Sequence, residues 1–156
     1  MSVYDEILHL LESQQVPYTL HEHEVIKTVQ DVEEKLPFLA GRMLKTIAFR
    51  LRDGRYVLAG LRGYDRLDYR YLARALDINR RDVTSLSPEE VETALGFEVG
   101  GVGPFALQDD VLLLFDGRLS DMDIVYCGSG RKTVTVEIAF ADLLQITEGQ
   151  IVPLAK

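Results

Sequence analysis

The sequence has no tryptophan, one cysteine and three histidines among its 156 residues. Because Cys127 stands alone, an internal disulfide is excluded, which suits a reducing compartment, and an isolated cysteine after an apolar strand is usually a small buried hydrophobe. No apolar run approaches the ~20 residues that span a bilayer. The acidic N-terminus also lacks the basic start of a signal peptide. We therefore expect a cytoplasmic protein with no membrane partner.

Several site signatures are also missing. The phosphate-binding patterns G-x-x-x-x-G-K-[ST] and G-x-G-x-x-G do not occur, so a nucleotide-binding loop of that kind is not expected. His21 and His23 alternate with glutamates, yet no third His or Cys follows at a usual metal-ligand spacing. We expect no metal there, and the role of this pair is left open. Ser129 lacks a G-x-S-x-G elbow, so it is either a turn serine or a substrate contact.

Charge is distributed unevenly along the chain. The net charge is -8, yet residues 42–81 contain eleven Lys and Arg against four acidic residues. One interpretation is a basic face that contacts a phosphate backbone. The other is that these arginines are scattered and paired with nearby acids. A chain of this length, 47% hydrophobic and 27% charged, is predicted to form one domain over residues 1–156.

Helices and strands are predicted without strict βα alternation. Ser2, Thr28 and Ser87 are expected to cap helices over residues 2–14, 28–36 and 88–95, with Gly96 ending the last of these. Asp53-Gly54 predicts a hairpin between strands 44–51 and 56–61. The remaining predicted elements are strands over 16–20, 111–115, 122–127, 133–138 and 150–153, and helices from Asp65 or Asp68 to 75 and over 139–144. The pattern predicts an α+β fold with a mixed, curved sheet of about six to seven strands and flanking helices.

Residues 96–106 form the most unusual stretch, because they contain four of the twelve glycines and Pro104. Glycines remove the side chains that restrict the backbone, and proline stiffens the segment. The stretch is either a tight connection between strands or a wall of exposed backbone N–H groups that holds a polar substrate.

Lys45 lies within an otherwise apolar strand, between Leu44 and Thr46. Its ammonium group either reaches the surface or is held in a pocket. In a pocket it would be a cation of adjustable pKa that binds a phosphate or a developing oxyanion.

Three motifs together resemble the YbaK/ProX family, which comprises free-standing relatives of the editing domain in bacterial prolyl-tRNA synthetase. They are Lys45-Thr46 on a strand, Gly100 to Pro104 as a G-x-x-x-P element, and Gly128-Ser129-Gly130-Arg131 before an alternating strand and residues 141–144. The order and spacing of the three motifs match those of the family over nearly the whole chain. The resemblance implies a prolyl-tRNA synthetase-associated fold, a mixed sheet closing toward a partial barrel.

The resemblance also implies hydrolysis of the ester between a wrong, small amino acid, such as Ala or Cys, and the acceptor end of tRNA-Pro. No cofactor or metal is implied, and an aminoacyl-tRNA synthetase is a further possible partner. The implied catalytic residues are Lys45, Gly100 and Gly101, and the implied substrate-binding residues are Thr46, Val102, Gly103, Pro104, Ser129, Gly130 and Arg131. Two alternatives stay open: a non-catalytic module that binds an aminoacyl, nucleotide or protein ligand in the same pocket, and a hydrolase of other small acyl esters.

Overall fold

The computed structural model describes residues 1–25 and 28–156, and within them six α-helices and eight strands. The helices are α1 Val3–Ser13, α2 Val29–Lys35, α3 Pro37–Ala40, α4 Tyr69–Leu76, α5 Pro88–Leu95 and α6 Phe140–Thr147. The strands are β1 Tyr18–Glu22, β2 Leu44–Leu51, β3 Tyr56–Arg62, β4 Val83–Ser85, β5 Val111–Asp116, β6 Ile124–Gly128, β7 Val134–Ala139 and β8 Gln150–Val152. None of the helices described is long and apolar enough to cross a membrane.

The strands form two sheets. β1, β7 and β6 make an antiparallel three-stranded sheet, and β4, β2, β3, β5 and β8 lie side by side in a five-stranded sheet. The larger sheet is mixed, because β3 and β8 both run parallel to β5. The α+β class is therefore confirmed, with two open sheets rather than one. A single isolated bridge between Met43 and Tyr126 links them.

Helix termini follow the local sequence signals. Ser2 and Ser87 each form a full capping box, with Asp5 and Glu90 respectively, and Thr28 accepts the N–H of Asp31. Gly96 ends α5 in the left-handed conformation, at φ 81°. Of the two acids considered for α4, Asp68 is the cap: its carboxylate accepts the N–H of Arg70.

The first strand begins later than residue 16. β1 starts at Tyr18 and continues through His21, which pairs with Thr135 of β7. Pro17 precedes the strand, and it has no N–H to donate to a ladder. The shift places His21 within a sheet.

β2 is buried on both faces and separates two apolar clusters. Its residues Leu44 and Ala48 join the cluster enclosed with α1, α5 and α6, where the rings of Phe115 and Phe140 meet edge-on at 5.2 Å. Its alternate residue Phe49 joins the second cluster, under α4. This alternation fixes which β2 side chains face the space between the sheets.

Candidate functional site

Among residues 1–25 and 28–156, no strand pairs with the outer edge of β2 over its first half. Pairing with β4 begins only at Phe49, and the neighbouring sheet contributes just the bridge at Met43. The carbonyl of Met43 accepts a hydrogen bond from Gly63 N, and Leu51 N donates one to Arg55 O. The backbone groups of the odd-numbered residues of β2 therefore bond to β3. The N–H and C=O of Thr46 therefore point to the open edge.

A pocket of about 510 Å³ lies at this edge, between β2 and the end of β6. Its walls are mainly apolar: Val32 and Leu39 come from α2 and α3, Val91 from α5, and Val99 and Val102 from the glycine-rich loop. Polar groups on its lining are few and are supplied by His23, Thr28, Lys45, Thr46, Tyr126 and Thr135. An apolar cavity with a few convergent polar groups is the usual form of a small-molecule site.

Lys45 lines this pocket and is half-buried. Its Nζ donates a hydrogen bond to the main-chain carbonyl of Asp65, so the ammonium group is held in place rather than extended freely into solvent. Burial lowers the pKa of Lys45 below its ordinary value of 10.5, the charge of Asp65 opposes the shift, and that of Arg66 adds to it. The carboxylate of Asp65 is itself bound by Arg62 at 2.8 Å.

Thr46 carries a hydroxyl that is buried and has no hydrogen-bond partner among the protein groups described. The residue lines the pocket. By strand alternation its side chain lies on the same face as Leu44 and Ala48. A buried polar group without a partner costs roughly 1–3 kcal/mol. The Thr46 hydroxyl is therefore available to a ligand in the pocket.

His23 and Thr135 form a second polar pair on the pocket wall, which the sequence did not predict. His23 Nδ1 lies 2.7 Å from the carbonyl oxygen of Glu24, and His23 Nε2 lies 2.7 Å from Thr135 Oγ1. A carbonyl oxygen only accepts, so Nδ1 carries a hydrogen and donates it to Glu24, while Nε2 and the threonine hydroxyl share the second hydrogen bond. The alternation of His21 and His23 places both on one face, but only the fold brings Thr135 to it.

His21 lies beside that pair but has other partners. Its Nε2 is 2.9 Å from Glu137 Oε1, and its ring meets Tyr126 edge-on at 5.6 Å. The hydrogen bond from His21 and a further one from Tyr126 lower the pKa of Glu137. In the part of the chain that is described, no group of three or more His, Cys, Asp or Glu could hold a metal ion.

The glycine-rich loop crosses the end of β6 with main chain against main chain. A Cβ on Gly103 would lie 2.1 Å from the carbonyl oxygen of Gly128, and a Cβ on Gly128 would lie 2.0 Å from that of Val102. A Cβ on Gly101 would meet the backbone of Arg131 at 2.7 Å. These glycines are needed because two backbone segments touch. Three loop residues line the pocket: Val99, Gly100 at φ 89°, and Val102.

The other predicted substrate contacts hold this crossing together. Ser129 is fully buried, and its hydroxyl donates to Val134 O at 2.6 Å. Gly130 N donates to Gly101 O at 2.8 Å, and the Arg131 guanidinium lies 3.9 Å from the ring centre of Tyr4. The pocket lining includes none of Gly101, Gly103, Pro104, Ser129, Gly130 or Arg131. Their roles toward a substrate stay predictions, as do those of Lys45, Thr46, Gly100 and Val102.

Cys127 lines the pocket, but its thiol is unreactive. It is buried, and burial raises the pKa of its thiol to about 12. A thiol of this pKa is not a nucleophile at neutral pH. The expectation of a small buried hydrophobe is confirmed.

Part of the basic segment is paired with neighbouring acids. Five of its arginines pair with carboxylates: Arg50 with Glu90, Arg52 with Asp82, Arg55 with Asp53, Arg62 with Asp65 and Arg70 with Asp68. Within residues 1–25 and 28–156, Arg42 and Arg66 have no carboxylate within 4.0 Å, and both are exposed. They adjoin pocket elements, since Arg42 precedes Met43 and Arg66 follows Asp65. Arg74, Arg80 and Arg81 likewise have no carboxylate within 4.0 Å in that part of the chain and are exposed, so only part of the basic segment is neutralised.

Comparison with known proteins connects this geometry to a family. The sequence profile described as aminoacyl-tRNA editing domain matches residues 23–146. A proline–tRNA ligase of Geobacillus kaustophilus is 27% identical over 106 residues, which are 68% of this chain. The chain spans only 18% of the length of that ligase. A protein of Enterococcus faecalis named as a candidate Cys-tRNA(Pro)/Cys-tRNA(Cys) deacylase, EbsC, is 24% identical over 92% of this chain and 88% of its own length.

Solved structures share the fold over the full chain. A hypothetical protein, APE2540, superposes with a TM-score of 0.84 at 21% identity and covers 97% of this chain and 99% of its own. The crystal structure of a candidate trans-editing enzyme for prolyl-tRNA synthetase has a TM-score of 0.79 at 20% identity, with coverage of 100% and 98%. At these identities the similarity concerns the arrangement of helices and strands.

Proposed function

The chain belongs to the family of aminoacyl-tRNA editing domains, and on that premise we propose that it is a trans-acting deacylase of mischarged tRNA. Residues 1–156 would form a single editing domain that removes the amino acid without the rest of a synthetase. The substrate is the acceptor end of an aminoacylated tRNA, and a synthetase is the partner that would release or deliver it. A substrate of this kind places the activity in the cytoplasm.

The observation that carries the proposal is the unpartnered hydroxyl of Thr46 beside the tethered Lys45, at the open edge of β2. A substrate with a hydrogen-bonding group at this point would give the Thr46 hydroxyl a hydrogen-bond partner. An aminoacyl ester offers such groups in its carbonyl and in the neighbouring ribose hydroxyl. The cation of Lys45 suits the adjacent terminal phosphate or the charge that develops on the carbonyl oxygen.

The shape and polarity of the pocket favour a small acyl group. A space of about 510 Å³ must hold both the amino acid and part of the terminal ribose, and its walls are formed by side chains such as Val32, Val91 and Val102. Such a pocket selects by excluding larger side chains. Alanine and cysteine, attached to tRNA-Pro, fit this selection, and the names of the related proteins refer to Cys-tRNA(Pro) and prolyl-tRNA synthetase.

The reaction is the hydrolysis of an activated ester. A water molecule, positioned directly or through the free ribose hydroxyl, attacks the carbonyl carbon, and the bond from that carbon to the ribose oxygen breaks. The ribose oxygen takes up a proton, so the products are the free amino acid and intact tRNA. The backbone at Gly100 and Val102, together with Lys45, would stabilise the negative charge on the carbonyl oxygen.

No protein nucleophile is required for this reaction. Ser129 is buried and bonded to main-chain carbonyls, and the Cys127 thiol has its pKa raised to about 12 by burial. A substrate that is already an activated ester needs orientation and charge stabilisation more than covalent catalysis.

The test is deacylation of a panel of labelled aminoacyl-tRNAs, including Ala-tRNA(Pro) and Cys-tRNA(Pro). Wild type, Lys45→Ala and the matched control Lys132→Ala are compared, because Lys132 is exposed and outside the pocket. Turnover of one small mischarged species that is lost in Lys45→Ala and kept in Lys132→Ala supports the proposal. If folded wild type turns over no species but binds one saturably, the pocket is a binding module instead.

A further inference from the structure

Tyr64 is a large aromatic side chain left in solvent close to the pocket. Its side chain and backbone together are 60% exposed. Among the residues described, only Met1 and Ile151 are other large hydrophobic residues with comparable exposure. Exposed aromatic rings on a rigid surface are efficient contact groups, because they bury large area with few rotatable bonds.

Both neighbours of Tyr64 are attached to the strand that lines the pocket. On one side, Gly63 N donates to Met43 O at 2.8 Å. On the other side, Asp65 O accepts the hydrogen bond from Lys45 Nζ. Met43 and Lys45 both line the pocket. Tyr64 is thus held at the rim of the pocket, one residue from the group that binds Lys45.

The turn that carries Tyr64 is firmly closed. Asp65 N donates to Arg62 O at 3.0 Å, and the Arg62 guanidinium bonds the Asp65 carboxylate at 2.8 Å. Burial and the nearby Glu33 carboxylate of α2, next to the pocket residue Val32, raise the pKa of the Tyr64 hydroxyl. A ring held in this way loses little conformational freedom when a planar ligand stacks on it.

Two cations near the turn favour an anionic ligand, and the Glu33 carboxylate lies toward the hydroxyl end of the ring. Arg66 follows the turn and Arg42 precedes Met43, and neither has a carboxylate within 4.0 Å in the described part of the chain. Lys45 lines the pocket, and the charge of Arg66 acts on its ammonium group. A planar apolar surface flanked by unpaired cations matches a nucleotide, whose base stacks while its phosphate meets the cations. A protein surface of opposite charge fits less well, since it does not require the ring.

We propose that Tyr64 is the stacking platform for the unpaired 3′-terminal base of the RNA substrate, with Arg42 and Arg66 near its phosphates. The ligand follows from the proposed function, on which this inference rests. The ester is carried by the terminal ribose, so its base must lie within one nucleotide of the pocket, and Tyr64 occupies that position at the rim. The residue would contribute to affinity for the acceptor end without touching the reacting atoms.

The experiment measures binding and catalysis separately. The binding probes are two uncharged, fluorescein-labelled RNA hairpins with a single-stranded ACCA end, one intact and one with an abasic terminal nucleotide. Fluorescence anisotropy compares wild type, Tyr64→Ala, Tyr64→Phe and the exposed control Ile151→Ala. We expect wild type, Tyr64→Phe and Ile151→Ala to prefer the intact hairpin by about 5- to 100-fold, and Tyr64→Ala to bind both hairpins alike.

Two binding results overturn the inference. Either wild type shows no preference for the intact hairpin, or Tyr64→Ala keeps that preference, as it does when its affinity for both hairpins falls by the same factor. Loss of affinity for a synthetase with unchanged RNA binding also overturns it and makes Tyr64 a protein contact. Deacylation of the charged intact hairpin is measured in parallel. A wild type that discriminates between the uncharged hairpins but does not hydrolyse the charged intact hairpin contradicts the proposed function while the stacking result stands.

Discussion

Lys45 and Asp65, twenty positions apart in the chain, are joined by a hydrogen bond from the lysine ammonium to the main-chain carbonyl. The bond connects β2 to the turn after β3, and so it sets the position of the cation at the pocket. Because a carbonyl is neutral, it orients the ammonium without cancelling its charge. The carboxylate of the same residue is engaged by Arg62 and Arg118.

The pH dependence of deacylation should show the ionisation of Lys45. Burial lowers the pKa of Lys45, and the nearby Arg66 adds to the effect. The group is charged below that pKa and neutral above it, so kcat/KM should fall with rising pH, with a midpoint below 10.5. Single-turnover rates, corrected for spontaneous ester hydrolysis, provide the profile. Lys45→Arg, whose guanidinium stays charged, should lose this alkaline limb; a limb that persists would assign it to another group.

Replacing Thr46 with valine should lower the activity without lowering the stability of the fold. The substitution keeps the shape of the side chain and removes the unpartnered hydroxyl. We expect an unchanged or slightly higher free energy of unfolding, and about a 10-fold lower kcat/KM from the loss of a substrate hydrogen bond. Urea denaturation and deacylation are measured together, with Thr84→Val on the exposed face of β4 as the control. A variant that loses stability and keeps activity would show that the hydroxyl has a structural role.

Gly103→Ala should damage the fold itself. The added Cβ would lie 2.1 Å from the carbonyl oxygen of Gly128, a main-chain atom that cannot rotate away. We expect a loss of about 2 kcal/mol or more in the free energy of unfolding. Gly41→Ala is the matched control, because Gly41 has φ -75° and nothing within 4 Å of the new Cβ. Equal stability of the two variants would mean that the crossing relaxes at little cost.

Asp68 should contribute to stability above acidic pH. Its hydrogen bonds with Arg70 lower the pKa of its carboxyl from 3.8 to about 2 in the folded chain. The stabilisation is complete above the unfolded value and is lost as the pH falls toward about 2. The difference in unfolding free energy between wild type and Asp68→Asn should therefore shrink between about pH 5 and pH 2, as followed by urea denaturation. Asp109→Asn, at an exposed position, serves as the comparison; a constant difference for Asp68→Asn would contradict the assignment.

Local signals in the sequence are reliable where neighbours in the chain decide the structure. The caps at Ser2, Thr28 and Ser87 depend on residues three positions away, and all three are confirmed. β4 has only three residues, too few for a periodic pattern, and its place beside β2 depends on a distant segment. The pairing of the strands into two sheets was likewise not readable from any single stretch.

The same distinction applies to the pocket. Lys45, Thr46 and the glycine-rich loop were identified from the sequence because a lysine in an apolar strand and a glycine cluster are locally unusual. The pair of His23 and Thr135 was missed, since 112 positions separate them. Ser129 shows the reverse case: its glycine-rich surroundings suggested a ligand contact, whereas burial gives its hydroxyl only main-chain partners.

Where the glycine-rich loop crosses β6, the residues that fix the path of the backbone differ from those whose side chains line the pocket. The position of the loop depends on Gly101, Gly103 and Gly128, because a Cβ on any of them would meet main-chain atoms at 2.0 to 2.7 Å. Val99 and Val102 belong to the same loop and reach the pocket. Substitutions confined to these two valines should therefore change which acyl group the pocket accepts while the backbone of the loop stays in place. They are the first positions to vary in order to direct the enzyme to other amino acids.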